Sequence, residues 1–387
     1  MSGPFEFVVF DQSCSVQVFE LCARIASELG PTLLHTGTDF SGESKPGLTV
    51  IRGPAYDNRS YSSRLRTWSA YVRHALNVGL RLRGRPVVMV SSNPPFGPFV
   101  GYTLRKLKGF RYLVRILDVY PDAIVKAGLA TGIWRLLPAT WERANRIALE
   151  SAEHVVTLGE CMRDRVQRFV TAPVRIIPSW LDVHEIAPRP KAENWFAQQH
   201  DQLGKLTVIY SGNLGITHDF SGVFEAARRL RERSDIQFVF IGGGGRKDEI
   251  SAATRGLPNC RVLPNQPKEN LPYSMTCGDV AIVALGESGQ GISMPSKTYH
   301  MMSAGAAILG ISFGDNDLKR TIEHHQCGIN VDPRDAQAVV AAVERFRADP
   351  EFLSRCRINA RMAAEREFSA QVCIPQYLEL LDDMRHK

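Results

Sequence analysis

No stretch of about 18 uninterrupted apolar residues occurs in the 387-residue sequence, so no membrane-spanning helix is expected. The first residues lack a basic segment followed by a long apolar core. No signal peptide is therefore expected, and the cytosol is the expected compartment. The eight cysteines, Cys14, Cys22, Cys161, Cys260, Cys277, Cys327, Cys356 and Cys373, form no C-x-x-C pair and show no zinc spacing. That argues against a disulfide framework and reads as incidental reduced thiols. A dinucleotide fingerprint is missing as well. Gly242-Gly243-Gly244-Gly245-Arg246 follows an apolar run, but Lys247 stands where G-x-G-x-x-G needs its last glycine, so the segment reads as a flexible turn.

Acidic residues are scarce in one region. Between Arg59 and Arg85 lie seven arginines and no Asp or Glu, and the net charge of +7 resides wholly in the N-terminal half. Leu65, Trp68, Tyr71, Val72 and Leu76 recur at near-helical spacing through that stretch. A basic amphipathic helix of this kind suits an anionic bilayer, which makes Arg64, Arg66, Trp68 and Arg73 candidate membrane contacts, on the inner face of the cell membrane. A second basic run, Arg105–Arg111, lies close by. No nucleic-acid motif accompanies the charge, and nucleic-acid binding is not expected.

What is present is ordinary globular composition, 44% hydrophobic and 22% charged, at a length that suits two domains. Short apolar runs alternate with helical patterns, which predicts parallel sheets covered by helices. Phe5–Phe10, Thr32–His35, Leu48–Ile51, Val87–Val90, Tyr112–Ile116, His154–Thr157 and Val174–Ile177 read as strands of a first doubly wound domain, residues 1–182. The Pro-rich, charged residues 183–204 read as a connection. Leu206–Tyr210, Ile236–Ile241, Cys260–Leu263, Val280–Ala284, Ala307–Ile311 and Gly328–Val331 read as strands of a second domain, residues 205–370. Ligands of such sheets bind at the carboxyl ends of strands, so two Rossmann-like α/β domains facing across a cleft are expected to supply loops to one site.

Two constellations suit a diphosphate. In Tyr210-Ser211-Gly212-Asn213-Leu214-Gly215 an apolar strand enters a glycine turn whose backbone can approach phosphate oxygens. In Pro295-Ser296-Lys297-Thr298-Tyr299-His300, proline is pre-set for a first helical turn and Lys297 adds a cation there, with His300 on nearly the same face. Arg246 and Asn265 complete the donor-side candidates: Gly212, Asn213, Gly215, Arg246, Asn265, Pro295, Ser296, Lys297 and His300. On the N-terminal side, Asp118 falls where a strand ends and is placed to orient an acceptor hydroxyl or take its proton. Asp11, Ser13, Asn93 and Tyr120 line the same side. Asp118 and Lys297 are the catalytic candidates. Asp315-Asn316-Asp317 has a metal–nucleotide D-x-D form, but its loop position reads as capping, and no metal is expected.

The segments Asp118-Val119-Tyr120-Pro121-Asp122, Ile177-Pro178-Ser179-Trp180-Leu181-Asp182, Tyr210–Gly215, Pro295–Tyr299 and Met302-Ser303-Ala304-Gly305 together, in this order, resemble the retaining glycosyltransferase family 4 of the GT-B fold. The closest likeness is to its transferases of O-antigen and colanic acid synthesis. The resemblance implies a UDP-sugar donor on the C-terminal domain and a lipid-linked or glycan acceptor on the N-terminal domain. It also implies retention without metal or other cofactor, and a last helix, residues 371–387, returning to the first domain. Ile292 and His300 stand where many members carry two glutamates, and Asn213 and Asp219 stand near the places of the usual Arg and Lys. A nucleotide-sugar epimerase of the same fold, or a catalytically degenerate scaffold subunit, are the alternatives.

Overall fold

The computed structural model describes residues 5–40, 43, 45–57, 59–126, 137–213 and 219–386. The chain forms two units, Met1–Pro178 with Gln371–Lys387, and Ser179–Ala370.

The first unit holds a seven-stranded parallel sheet. Its strands are β1 Phe7–Phe10, β2 Thr32–Thr36, β3 Leu48–Arg52, β4 Val87–Ser91, β5 Tyr112–Arg115, β6 His154–Thr157 and β7 Val174–Ile176, in spatial order 3-2-1-4-5-6-7. Every residue of β1, β2, β4 and β5 is buried, whereas edge strand β3 is largely not. Helices on both faces require this pattern, which explains why the strands read as unbroken apolar runs rather than alternating ones. The order reverses direction between β1 and β4, so the turns after Phe10 and Ser91 open at a switch point.

The second unit repeats the design with six parallel strands: β8 Leu206–Ser211, β9 Ile236–Ile241, β10 Cys260–Leu263, β11 Val280–Leu285, β12 Ala307–Ser312 and β13 Gly328–Val331, in order 10-9-8-11-12-13. Its core joins Val208, Phe238, Phe240, Ile282 and Leu309 to Val223, Phe224 and Val343 of the covering helices. Here the switch point lies between β8 and β11.

Residues 183–204 are not a free connection. Lys191 Nζ donates to the Asp279 carboxylate, to Thr207 Oγ1 at 2.9 Å and to the Lys205 carbonyl at 2.7 Å. Asn194 caps the helix Trp195–Gln199 and donates to the Tyr273 carbonyl. Arg361 donates to the carbonyls of Val183, Ile186 and Ser303 at 2.8–3.1 Å. The division accordingly falls after Pro178 rather than after Asp182, and the expected linker is part of the second unit. The last helix, Ala370–His386, contacts the first unit's sheet: Arg115 Nε donates to Tyr377 Oη at 3.1 Å and Arg111 to the Met384 carbonyl at 2.9 Å.

Replacing Arg361 with Met leaves three partly buried carbonyls without their charged donor. Loss of about 2–4 kcal/mol of unfolding free energy is expected, read from urea denaturation of the full chain. An unchanged midpoint would show that the 183–186 segment is held by packing alone.

Candidate active site

The turns after β8 and β9 meet beside the switch point of the second unit. Gly212 has a φ of 132° and Gly242 one of 151°, which L side chains rarely adopt. A Cβ on Gly242 would lie 2.0 Å from the Gly212 carbonyl oxygen. The glycine run is thus a close backbone crossing at its first residue, not the merely flexible turn expected. A Cβ on Gly243 would lie 3.0 Å from Asn265 Nδ2, which brings Asn265 to the same place.

Lys297, first residue of the helix Lys297–Ser303, reaches into this turn. Its Nζ donates to Tyr210 Oη and sits 3.8 Å from the ring centroid, and a Cβ on Gly212 would lie 3.3 Å from it. Tyr210 in turn donates to the Asn213 carbonyl at 2.7 Å, which fixes the ring. Among the described residues no carboxylate pairs with Lys297. Burial alone lowers its ammonium from 10.5 to about 7. Pro295 closes the helix start by accepting from the Thr298 hydroxyl at 2.7 Å. Ser296 is exposed and its carbonyl takes His300 Nδ1 at 3.1 Å, so His300 is turned onto its own helix. The Arg246 guanidinium is clamped by Glu249 at 2.6–2.7 Å, an i,i+3 pairing that the local sequence contained. Gly215 lies outside the described residues. Asn316 caps the helix Asp317–His325, as Asp315-Asn316-Asp317 was read. Ile292, in a glutamate's expected place, is buried.

In the first unit the strand ends present carboxylates. Asp11, after β1, is 3% exposed, and burial raises its carboxyl to about 6 against the pull of Arg115, the Ser91 hydroxyl and the Ser13 backbone. Its Oδ1 and the Ser13 hydroxyl lack partners among the described residues. The Asn93 carbonyl takes the Gln12 amide at 3.1 Å and the Ser91 hydroxyl at 2.9 Å, joining the turns after β1 and β4. Asp118 follows β5. The Ser92 hydroxyl clips its backbone, accepting from the amides of Leu117 at 2.9 Å and Asp118 at 3.3 Å. Burial alone raises the Asp118 carboxyl to about 6.

Tyr120, two residues past Asp118, belongs to an aromatic cluster that the sequence reading missed. Tyr120 stacks with Trp141 at 6.0 Å and meets Trp68 edge-on at 6.5 Å; Phe96 stacks on Trp141 at 4.9 Å. Asp118 and Arg64 both act electrostatically on the Tyr56 hydroxyl, and Tyr56 stacks near Trp68. This corrects the membrane assignment of Trp68: at 6% exposure, its indole packs inside the unit. The apolar stripe of the helix Tyr61–Arg81 (Trp68, Tyr71, Ala75, Val78) is the face that covers the sheet. Arg66 and Arg73 lie on the exposed side, whereas Arg64 is half-buried toward Tyr56.

In the second unit a recessed cation among glycine turns suits an anionic, phosphate-bearing ligand; in the first, a strand-end carboxylate with a raised pKa suits proton transfer. Groups of these two kinds, each at the carboxyl ends of a parallel sheet, suit a group-transfer enzyme of the parallel α/β class. Residues 191–363 match the family described as Glycosyl transferases group 1, and residues 15–180 match the Glycosyl transferase 4-like domain. The chain belongs to this glycosyltransferase family. "Probable glycosyltransferase WbjE" of Pseudomonas aeruginosa is 26% identical over 273 residues, 69% of this chain and 67% of that protein. "Putative colanic acid biosynthesis glycosyl transferase WcaI" of Escherichia coli K12 is 26% identical over 275 residues, 68% and 67% of the two chains. The solved Anabaena HepE in complex with UDP-glucose shares the GT-B fold, with a TM-score of 0.71 at 14% identity over 97% of this chain and 99% of that one. Among the described residues no helix is long and apolar enough to cross a membrane.

Because burial raises Asp118 from 3.8 to about 6, its contribution to stability is present below pH 4 and is lost as pH rises to 6. Asp118→Asn removes that loss. The variant is expected to be more stable than wild type at pH 7–8, by at most about 3 kcal/mol, with the difference vanishing near pH 4. Thermal melts across pH 4–8 check this, and a destabilised variant at pH 8 contradicts the burial argument.

Proposed function

We propose that the chain is a retaining, metal-independent transferase that moves a sugar from a UDP-sugar to a lipid-linked or glycan acceptor during bacterial surface polysaccharide synthesis. The observation that carries the reading is the Lys297 ammonium, desolvated against Tyr210 and lacking a carboxylate partner among the described residues. A site that keeps a cation at a stability cost is poised for an anion. A diphosphate arriving beside Gly212, Gly242 and Lys297 meets close backbone and an amine whose protonation it favours, which stabilise the charge developing on the leaving phosphate. Asn265 borders the same turn, and Pro295, Ser296 and His300 belong to the start of the helix that carries Lys297. The Anabaena structure contains UDP-glucose, and the name of the E. coli relative refers to colanic acid, which supports the donor and product classes. Asp118, two residues from Tyr120, holds the acceptor: an aromatic ring takes a sugar's apolar face, and the carboxylate orients its hydroxyl.

Above pH 7 the free Lys297 is largely neutral, and a bound diphosphate raises its pKa. UDP binding at pH 8 is therefore expected to take up close to one proton, visible as a calorimetric enthalpy that varies with the buffer's ionisation enthalpy. Lys297→Met should weaken UDP binding at least tenfold and abolish the buffer dependence. Wild-type affinity in that variant contradicts the assignment. For the transfer step, Asp118→Asn is expected to lower kcat by about 10²–10⁴-fold while leaving UDP affinity unchanged.

The reading includes peripheral contact with an anionic membrane surface through the outer side of the helix Tyr61–Arg81. Arg66, Arg73 and Arg81 are exposed there beside Leu65, at 45%, and Leu80, at 41%. Flotation with phosphatidylglycerol vesicles at low salt is expected for wild type, and not for Arg66→Glu/Arg73→Glu or in high salt. Equal flotation of the variant removes this surface from consideration.

A further inference from the structure

Away from these residues, two helices of the second unit end side by side. The helix Asp317–His325 finishes on two histidines and the helix Pro350–Glu367 on a glutamate. One ligating atom from each of His324, His325 and Glu367 lies within 4.8 Å of the other two. His325 Nε2 is 3.5 Å from Glu367 Oε2. The His325 side chain is mostly covered and its ring rests edge-on against Phe368, at 5.5 Å and 85°. The His324 ring stands nearly perpendicular to it at 4.7 Å.

We infer that His324, His325 and Glu367 form a site for a divalent first-row transition metal of the zinc class, with water completing the coordination. Two imidazoles and one carboxylate are a borderline donor set that suits zinc and its neighbours. Calcium and magnesium take oxygen ligands and are not served by it. Ligand atoms around a tetrahedral zinc, bonded at about 2.0–2.2 Å, stand roughly 3.5 Å apart. His324 and Glu367 are exposed, which leaves their side chains room to close toward that spacing. Electrostatics favours a cation here, because both helices present their negative dipole ends. The backbone is already set: Gln326 leaves the first helix at a left-handed φ of 48°, and its carbonyl accepts from Asn359 of the second helix at 3.2 Å. An ion pair would need only His325 and Glu367; the third group makes a chelate.

The site adjoins the segment where the second unit ends. Phe368 packs on Tyr299, in the helix of Lys297, at 4.5 Å, and the backbone of Phe368 and Ala370 pairs with Leu181 at 3.0–3.1 Å. A bound metal therefore clamps the end of the Pro350–Glu367 helix and should stabilise the second unit, independently of donor binding.

The test uses the full chain, stripped with chelator and dialysed against Zn²⁺, with bound metal quantified by atomic spectroscopy. Wild type is expected to hold one more equivalent than His324→Ala/Glu367→Gln, both of which are exposed positions outside the donor site. Melting should shift upward with Zn²⁺ in wild type, by several degrees, and this shift should be absent in the variant. Metal-free melts of the two proteins should coincide, which separates ligation from a structural role. A tenfold excess of Ca²⁺ should not displace the zinc. Equal zinc content in wild type and variant, or an equal melting shift, overturns the site; displacement by Ca²⁺ overturns the donor chemistry assigned to it.

Discussion

The second unit is organised around an ammonium that water does not fully reach. Lys297 is held over the Tyr210 ring and against its hydroxyl, and desolvation draws its pKa toward neutrality. Placing it there dictates much of the surrounding backbone. Gly212 has no side chain where the lysine tip passes, and Gly242 has none where the Gly212 carbonyl passes. Tyr210 keeps its angle through the Asn213 carbonyl. Tyr210, Gly212 and Gly242 sit at strand ends beside the switch point between β8 and β11, where chain reversal leaves the helices apart and a turn can hold a ligand.

The first unit carries the opposite charge by the same means. Asp11 and Asp118 follow β1 and β5, and burial raises both carboxyls. Neither environment is what stability alone would select, because each penalises the ionised form. Retaining such groups is understandable where chemistry uses them: an acid with a pKa near 6 is half-poised for proton exchange at neutral pH, and a cation near 7 responds to an arriving anion. Tyr120, close to Asp118 in the chain, packs with Trp68 and Trp141.

The strands were legible because fully covered parallel strands need apolar residues at every position, a signal that survives without any knowledge of neighbours. The strand-end positions of Asp118 and Gly212 followed from the same pattern, since catalytic and binding groups of such sheets stand there, and Lys297 followed from the proline-led helix start. Other features were less accessible. The helix Tyr61–Arg81 showed its apolar stripe, but periodicity states that a face is buried and not what buries it, so Trp68 was assigned to lipid when it packs against Tyr56 and Tyr120. Residues 183–204 looked like a linker because Pro and charge dominate, yet Lys191 and Arg361 find partners 58–178 residues away. The Arg246–Glu249 clamp, by contrast, was within reach of a local reading and was passed over.

By itself the sequence determined the number, kind and order of elements, the turns at their ends, and the family, because each rests on contacts short in sequence or on motifs that occupy a few residues. Tertiary structure alone decided which charges are buried and which are answered. Lys297 meets Tyr210 across 87 residues, Trp68 and Trp141 meet Tyr120 from separate helices, and His325 meets Glu367 from another helix. A pKa or a ligand set depends on atoms within a few ångströms, and the sheet order, not the sequence spacing, chooses those atoms.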